Sequence, residues 1–220
     1  MLTKSERLFA ILYCIILILE MYTAAELPIL HYFAKPALLL ALMIFYAIQS
    51  PHITLNQRKI TFGALGASLL GDILLMFVEQ SQHFFTAGLV AFLIAHLLYI
   101  IIFLKTRHQY KKPWLFSGIL VIYGSSLFYL LKDHLGMMLL PVFFYMLVIL
   151  TMATSAFLRK GSVKEWSYNF VLLGAILFLI SDSLLAVNKF YTPLAYSNIS
   201  IMFTYAFAQL FIVFGLLKQR

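Results

Sequence analysis

Residues 84–104 read FFTAGLVAFLIAHLLYIIIFL, a run without one Asp, Glu, Lys or Arg. Coiled as a helix at about 1.5 Å per residue, it is about 30 Å long, the thickness of a bilayer's hydrocarbon core. Seven further apolar runs resemble it, so the chain reads as eight spans near 8–24, 29–49, 60–78, 84–104, 114–131, 139–158, 166–188 and 197–217, with short connections. Composition agrees: 220 residues at 63% hydrophobic and 11% charged leave too little polar surface to coat a water-soluble globule. The expected fold is all-α, a polytopic membrane protein whose bundle of eight transmembrane helices forms a single integral membrane domain over 1–220.

Two spans need comment. Lys35 and Pro36 interrupt the second, so an irregular or interfacial turn is expected at its start; its purely apolar part, Ala37 to Ile48, is too short to cross alone. The first could be read as a signal peptide, with Lys4 and Arg7 ahead of it and Thr23-Ala24-Ala25 as a cleavage site; the reading adopted is that it is retained. The six prolines fall at or near segment ends, and no span is expected to break at its centre. Cys14 is the only cysteine, which excludes an intramolecular disulfide and a cysteine metal cluster.

The net charge of +8 does not point to nucleic acid, because the basic residues are scattered through short loops. With eight spans, thirteen of the sixteen fall on one side: Lys4, Arg7, Arg58, Lys59, Lys105, Arg107, Lys111, Lys112, Arg159, Lys160, Lys164, Lys218 and Arg220. Only Lys35, Lys132 and Lys189 fall on the other, so the positive-inside rule places both termini in the cytoplasm.

Against this background two carboxylates stand out, Asp72 in LLGDILLMF and Asp182 in FLISDSLLAV. A charge at mid-membrane costs about 2.5 to 3.5 kcal/mol even on the gentler insertion scales, so each is paired or used. They lie 110 residues apart, half the chain, and the same shift also aligns Leu69 with Leu179 and Leu74-Leu75 with Leu184-Leu185. A parallel 4+4 repeat would produce this and would bring both aspartates to one depth, about two-thirds of the way across from the cytoplasm. Gly63, Ala67 and Gly71 form a small-residue face near the first; Gly174, Ser181, Ser183 and Asn188 surround the second. The plainer alternative is that each aspartate bonds a neighbouring helix and only fixes packing.

Lys35 with Pro36, the Gly71-Asp72 pair, Gly88-x-x-x-Phe92-x-x-x-His96-x-x-Tyr99, the SDSLLA segment with Asn188-Lys189-Phe190, and Tyr205 with Gln209 form an ordered set. With it the chain resembles the YhhN family of multispanning membrane proteins, which includes the lysoplasmalogenases. The resemblance implies hydrolysis of the vinyl ether bond of lysoplasmalogen, releasing a fatty aldehyde and a glycerophospho-ethanolamine or -choline. The partners it implies are the lysophospholipid substrate, membrane lipids and water, with no cofactor and no nucleic acid.

That chemistry suits two buried carboxyls. Protonation of the outer alkene carbon gives an oxocarbenium ion that water attacks, so one carboxyl must be protonated and one ionised, as in glycoside hydrolysis. Asp72 and Asp182 are the expected acid and base. Lys35 is the candidate for the substrate phosphate, with snorkelling to the interface as its alternative. Tyr205 and Asn188 are candidates to line the substrate site, as are the weaker His96 and Tyr99; for His96 a bridging role between helices is the rival. Glu20 and Glu79 are read as solvated helix ends.

Histidines dispersed over loops and helix ends speak against a zinc site, which needs about three convergent ligands. The sequence also lacks a Gly-x-Ser-x-Gly elbow and a phosphate-cradling glycine loop. The rival function is a transporter or proton-coupled carrier using the aspartates as an ion site, and a third is a scaffold or lipid sensor. Short loops point to a bacterial inner membrane.

Overall fold

The computed structural model describes residues 2–109 and 112–219, so the basic residues Lys111 and Arg220 lie outside it. Eight long helices follow one another: α1 Lys4–Glu26, α2 Pro28–Gln49, α3 Leu55–Leu75, α4 Gln82–Lys105, α5 Trp114–Leu131, α6 Leu139–Phe157, α7 Glu165–Phe190 and α8 Ser197–Leu217. No strand is formed among the described residues, only a single bridge between Lys160 and Val163. By contacts the chain divides into two compact units, residues 1–102 and 103–220.

Seven of the eight helices are long and apolar enough to cross a membrane. The exception is α3, which carries Asp72: Arg58, Lys59, three glycines and the aspartate itself dilute its apolar content. Side chains such as Leu8, Ile18, Ile44, Leu115 and Ile122 are more than half exposed, as lipid-facing positions of a multi-pass membrane protein should be.

In the first unit, α1 opens on a capping box. The Thr3 hydroxyl accepts the Glu6 N–H at 3.2 Å and the Glu6 carboxylate accepts the Thr3 N–H at 2.7 Å, satisfying two backbone donors that the first turn leaves without helical partners. Leu27 alone links α1 to α2, and the two helices pack against each other. The expected irregular start of α2 is absent. The helix runs unbroken from Pro28, and Pro36 lies inside it. A proline ring offers no N–H to the preceding turn, so α2 forgoes one bond there, contrary to the expectation that every proline sits at an end. Helix α3 starts five residues before its apolar run and stops at Leu75, three residues short of the expected end.

In the second unit α5 and α8 begin and end where the apolar pattern does. Two short 3-10 turns, Lys132–His134 and Gly136–Met138, join α5 to α6. Helices α7 and α8 approach backbone to backbone. A methyl group on Gly174 would stand 2.8 Å from the Ala208 carbonyl oxygen and 2.9 Å from the Ile212 nitrogen; one on Gly215 would stand 2.9 Å from the Ser167 carbonyl oxygen. Only glycine permits that spacing. Between them, the Asn188 side-chain oxygen accepts the Leu194 N–H at 2.9 Å, and Tyr196 enters α8 at φ 56, in the left-handed region.

Arg159 is fully buried rather than a free loop cation. Its Nε donates to Thr106 Oγ1 at 2.9 Å, one terminal nitrogen donates to Ser167 Oγ at 3.0 Å, and Ser167 donates onward to the Gly215 carbonyl at 2.7 Å. The Phe103 ring covers the guanidinium at 5.7 Å. Burial pushes its pKa down to about 10, which still leaves it charged at neutral pH.

Candidate functional site

Each unit holds one of the two aspartates, in a setting of its own. Asp72 is the eighteenth residue of α3 and lies in its last turn, 3% exposed. The turn is locked against α4, since a methyl on Gly71 would meet the Phe92 ring at 2.7 Å and one on Gly88 would meet the Leu75 side chain at 3.0 Å. Tyr13 on α1, 1% exposed, lies within electrostatic reach of Asp72 and Tyr99, and Tyr99 within that of Tyr46. One buried polar residue on each of the four helices of this unit, a carboxylate and three tyrosines, is thus within electrostatic reach of another. His96, one turn before Tyr99 on α4, is likewise fully buried.

Asp182, the eighteenth residue of α7, is half-buried. The Tyr145 hydroxyl on α6 donates to its Oδ2 at 2.5 Å, and the Tyr123 hydroxyl on α5 donates to the neighbouring Ser183 at 2.9 Å. A hydroxyl that short of a carboxylate makes a charge-assisted bond, roughly twice as strong as a neutral one. These groups stand on the wall of a half-open cleft among α5, α6 and α7, otherwise lined by apolar side chains such as Leu127, Phe128, Val142, Met146, Ile149 and Leu150. Ser181 turns the other way and donates to the Ile201 carbonyl of α8 at 3.0 Å, on the face where Gly174 packs. Alternation along α7 thus gives one face to packing and leaves Asp182 facing the cleft.

The other candidates distribute as follows. Lys35 is half-buried on α2, within electrostatic reach of Glu20 and His31. Tyr205 is buried on α8 with its ring edge-on to Phe178, and Asn188 is engaged by the turn after α7. Glu79 is exposed as expected, but Glu20 is not a solvated helix end: it is 2% exposed, because α2 folds back over the end of α1. Tyr145, Tyr123 and Tyr13 were not singled out by the sequence, where thirteen tyrosines in apolar surroundings look alike. No group of three or more His, Cys, Asp or Glu among the described residues is arranged to hold a metal ion.

The family model for YhhN matches residues 30–216, most of the chain. The chain belongs to the YhhN family. This YhhN protein is similar to lysoplasmalogenase TMEM86B of Homo sapiens, 34% identical over 157 residues that cover 71% of it and 63% of the human protein. Lysoplasmalogenase TMEM86A of Bos taurus is 28% identical over 204 residues, 90% of this chain and 80% of its own. Lysoplasmalogenase TMEM86B of Sus scrofa is 38% identical over 154 residues, 68% and 60%. The match thus spans less than two thirds of the human and porcine proteins. No solved structure matches the chain.

Proposed function

We propose that this YhhN protein hydrolyses the vinyl ether bond of lysoplasmalogen to a fatty aldehyde and a glycerophospho-alcohol. The observation that carries the reading is the Tyr145 to Asp182 hydrogen bond on the wall of the apolar cleft of the second unit. A long hydrocarbon chain needs an apolar slot, and its ether end needs a carboxyl beside that slot. The names of the relatives, all lysoplasmalogenases, support the same reading.

In this reading Asp72 and Asp182 divide the acid and base work. The protonated carboxyl gives its proton to the outer alkenyl carbon, and the cation that forms is stabilised by the ionised one. Water adds to the cationic carbon while the ionised carboxylate takes its proton, and the hemiacetal so formed collapses to aldehyde and alcohol. One proton is taken up and one returned, so the pair ends with its starting charge. Lys35 meets the phosphate; Tyr205, Asn188, His96 and Tyr99 are the further candidates to contact substrate.

The reading extends to topology: one membrane domain of eight spans in a bacterial inner membrane, both termini cytoplasmic, built by a parallel duplication. An aspartate at the eighteenth position of both α3 and α7 supports the duplication, as does the boundary after residue 102. Labelling of single cysteines placed in each loop from either side of the membrane tests the orientation.

The decisive measurement for the activity is aldehyde release from lysoplasmalogen by detergent-purified protein. Asp72→Asn and Asp182→Asn are each expected to abolish it with the thermal unfolding midpoint preserved. Full turnover in either variant removes the two-carboxyl mechanism. Substrate flux into sealed liposomes without aldehyde removes the hydrolase and leaves a carrier.

A further inference from the structure

Helix α1 buries Glu6, Tyr13, Leu17, Glu20 and Thr23 along one face. Glu20 takes no part in the chemistry above, yet it is 2% exposed, and its Oε2 is buried without a hydrogen-bond partner. Its Oε1 lies 3.5 Å from Nδ1 of His31. One turn further along α2, half-buried Lys35 places a positive charge within electrostatic reach of both. A buried carboxylate oxygen lacking a donor is costly, and none of the described residues supplies a hydrogen bond to it.

The geometry points to a headgroup site: Glu20, flanked by His31, takes the primary ammonium of a zwitterionic phospho-amine lipid whose phosphate meets Lys35. A carboxylate beside a lysine matches a ligand that carries both signs close together. The vacant acceptor asks for N–H donors, which a primary ammonium has and a quaternary one lacks; trimethylated amines are held instead by aromatic faces. Tyr13, which lies within electrostatic reach of Asp72, stands two turns earlier on the same face of α1, about 10 Å along the axis. That separation is comparable with the extended span from the ether oxygen of an ethanolamine lysoplasmalogen to its nitrogen. The link between headgroup and reacting bond rests on the hydrolase reading; the ammonium site itself does not.

The test is binding of non-hydrolysable alkyl ethers to the full chain in detergent, followed by tryptophan fluorescence or calorimetry. Three ligands are compared: 1-alkyl-glycerophosphoethanolamine, the matching phosphocholine, and alkyl glycerophosphate without an amine. Wild type is expected to bind the first about tenfold more tightly than the other two. Glu20→Gln should erase that preference, Glu20→Asp should keep part of it, and Lys35→Met should weaken all three. Equal binding by wild type overturns the site without recourse to a variant, as does a preference unchanged in Glu20→Gln. Preference without aldehyde release from the alkenyl counterparts would sink the hydrolase and keep the site. Aldehyde release at equal kcat/KM from all three alkenyl forms would do the reverse.

Discussion

Replacing Tyr145 by Phe deletes one oxygen and leaves the ring that lines the cleft. The lost group is the hydroxyl that donates to Asp182 at 2.5 Å. A hydrogen bond to a charged group contributes about 1.5 to 3 kcal/mol. If the carboxylate is called on in the transition state, losing that donor should lower kcat/KM roughly ten- to a hundredfold. Tyr123→Phe is the matched control. It removes a bond between neutral groups, to Ser183 at 2.9 Å, on the same cleft, about 0.5 to 1.5 kcal/mol in stability and not a contact to the carboxylate. The assay is aldehyde release over a range of substrate concentrations, with thermal unfolding in detergent run on the same preparations. Tyr145→Phe within twofold of wild type would refute the reasoning, and so would equal losses in the two variants, since a general disturbance of the cleft would then suffice.

Gly174→Ala should lower the unfolding midpoint, by about 1 to 3 kcal/mol in stability, because its methyl would stand 2.8 Å from the Ala208 carbonyl oxygen; Gly118→Ala, with open space around it, should be neutral or mildly stabilising. Arg159→Met should cost about 3 kcal/mol or more, read as a lower midpoint, because it deletes the donors that hold Thr106 and Ser167. Tyr196→Gly should raise stability by about 1 kcal/mol, since φ 56 penalises a side chain that is otherwise exposed. Gly71→Ala should reduce aldehyde release at modest cost in stability, because the Phe92 ring must move to admit the methyl beside Asp72.

Hydropathy marked all eight helices, and for α5 and α8 it also marked both ends, since there the apolar run and the hydrogen-bonded run coincide. For α3 it did not. Leu55 to Lys59 are helical but largely polar, and helices continue until a cap or turn stops them, whatever the side chains prefer as solvent. Proline grammar failed at Pro36 for a related reason: a membrane helix tolerates the missing N–H where its neighbours restore the lost bond or crowd out the alternatives. Of the site, the two aspartates were legible because charge is rare in an apolar run. Tyr145 was not, because a phenol becomes a partner only when another helix brings it to a carboxylate. Glu20 was misplaced on the same account; its position at the end of α1 suggested solvent, and only the return of α2 encloses it.

The glycine contacts between α7 and α8 set which parts of the second unit can give way. With backbone against backbone at Gly174 and Gly215, and Ser167 tying the pair to Arg159, α7 and α8 form one stiff post. Asp182 is mounted on that post, facing away from α8. In the hydrolase reading proposed above, a hydrocarbon chain entering the cleft presses on its walls, and the post is the stiffest of them. The other walls are α5 and α6, and the outer side chains of α5, from Trp114 to Tyr129, are largely uncovered by protein. On that same reading, lipid would enter on their side while the carboxyl on the post keeps its position.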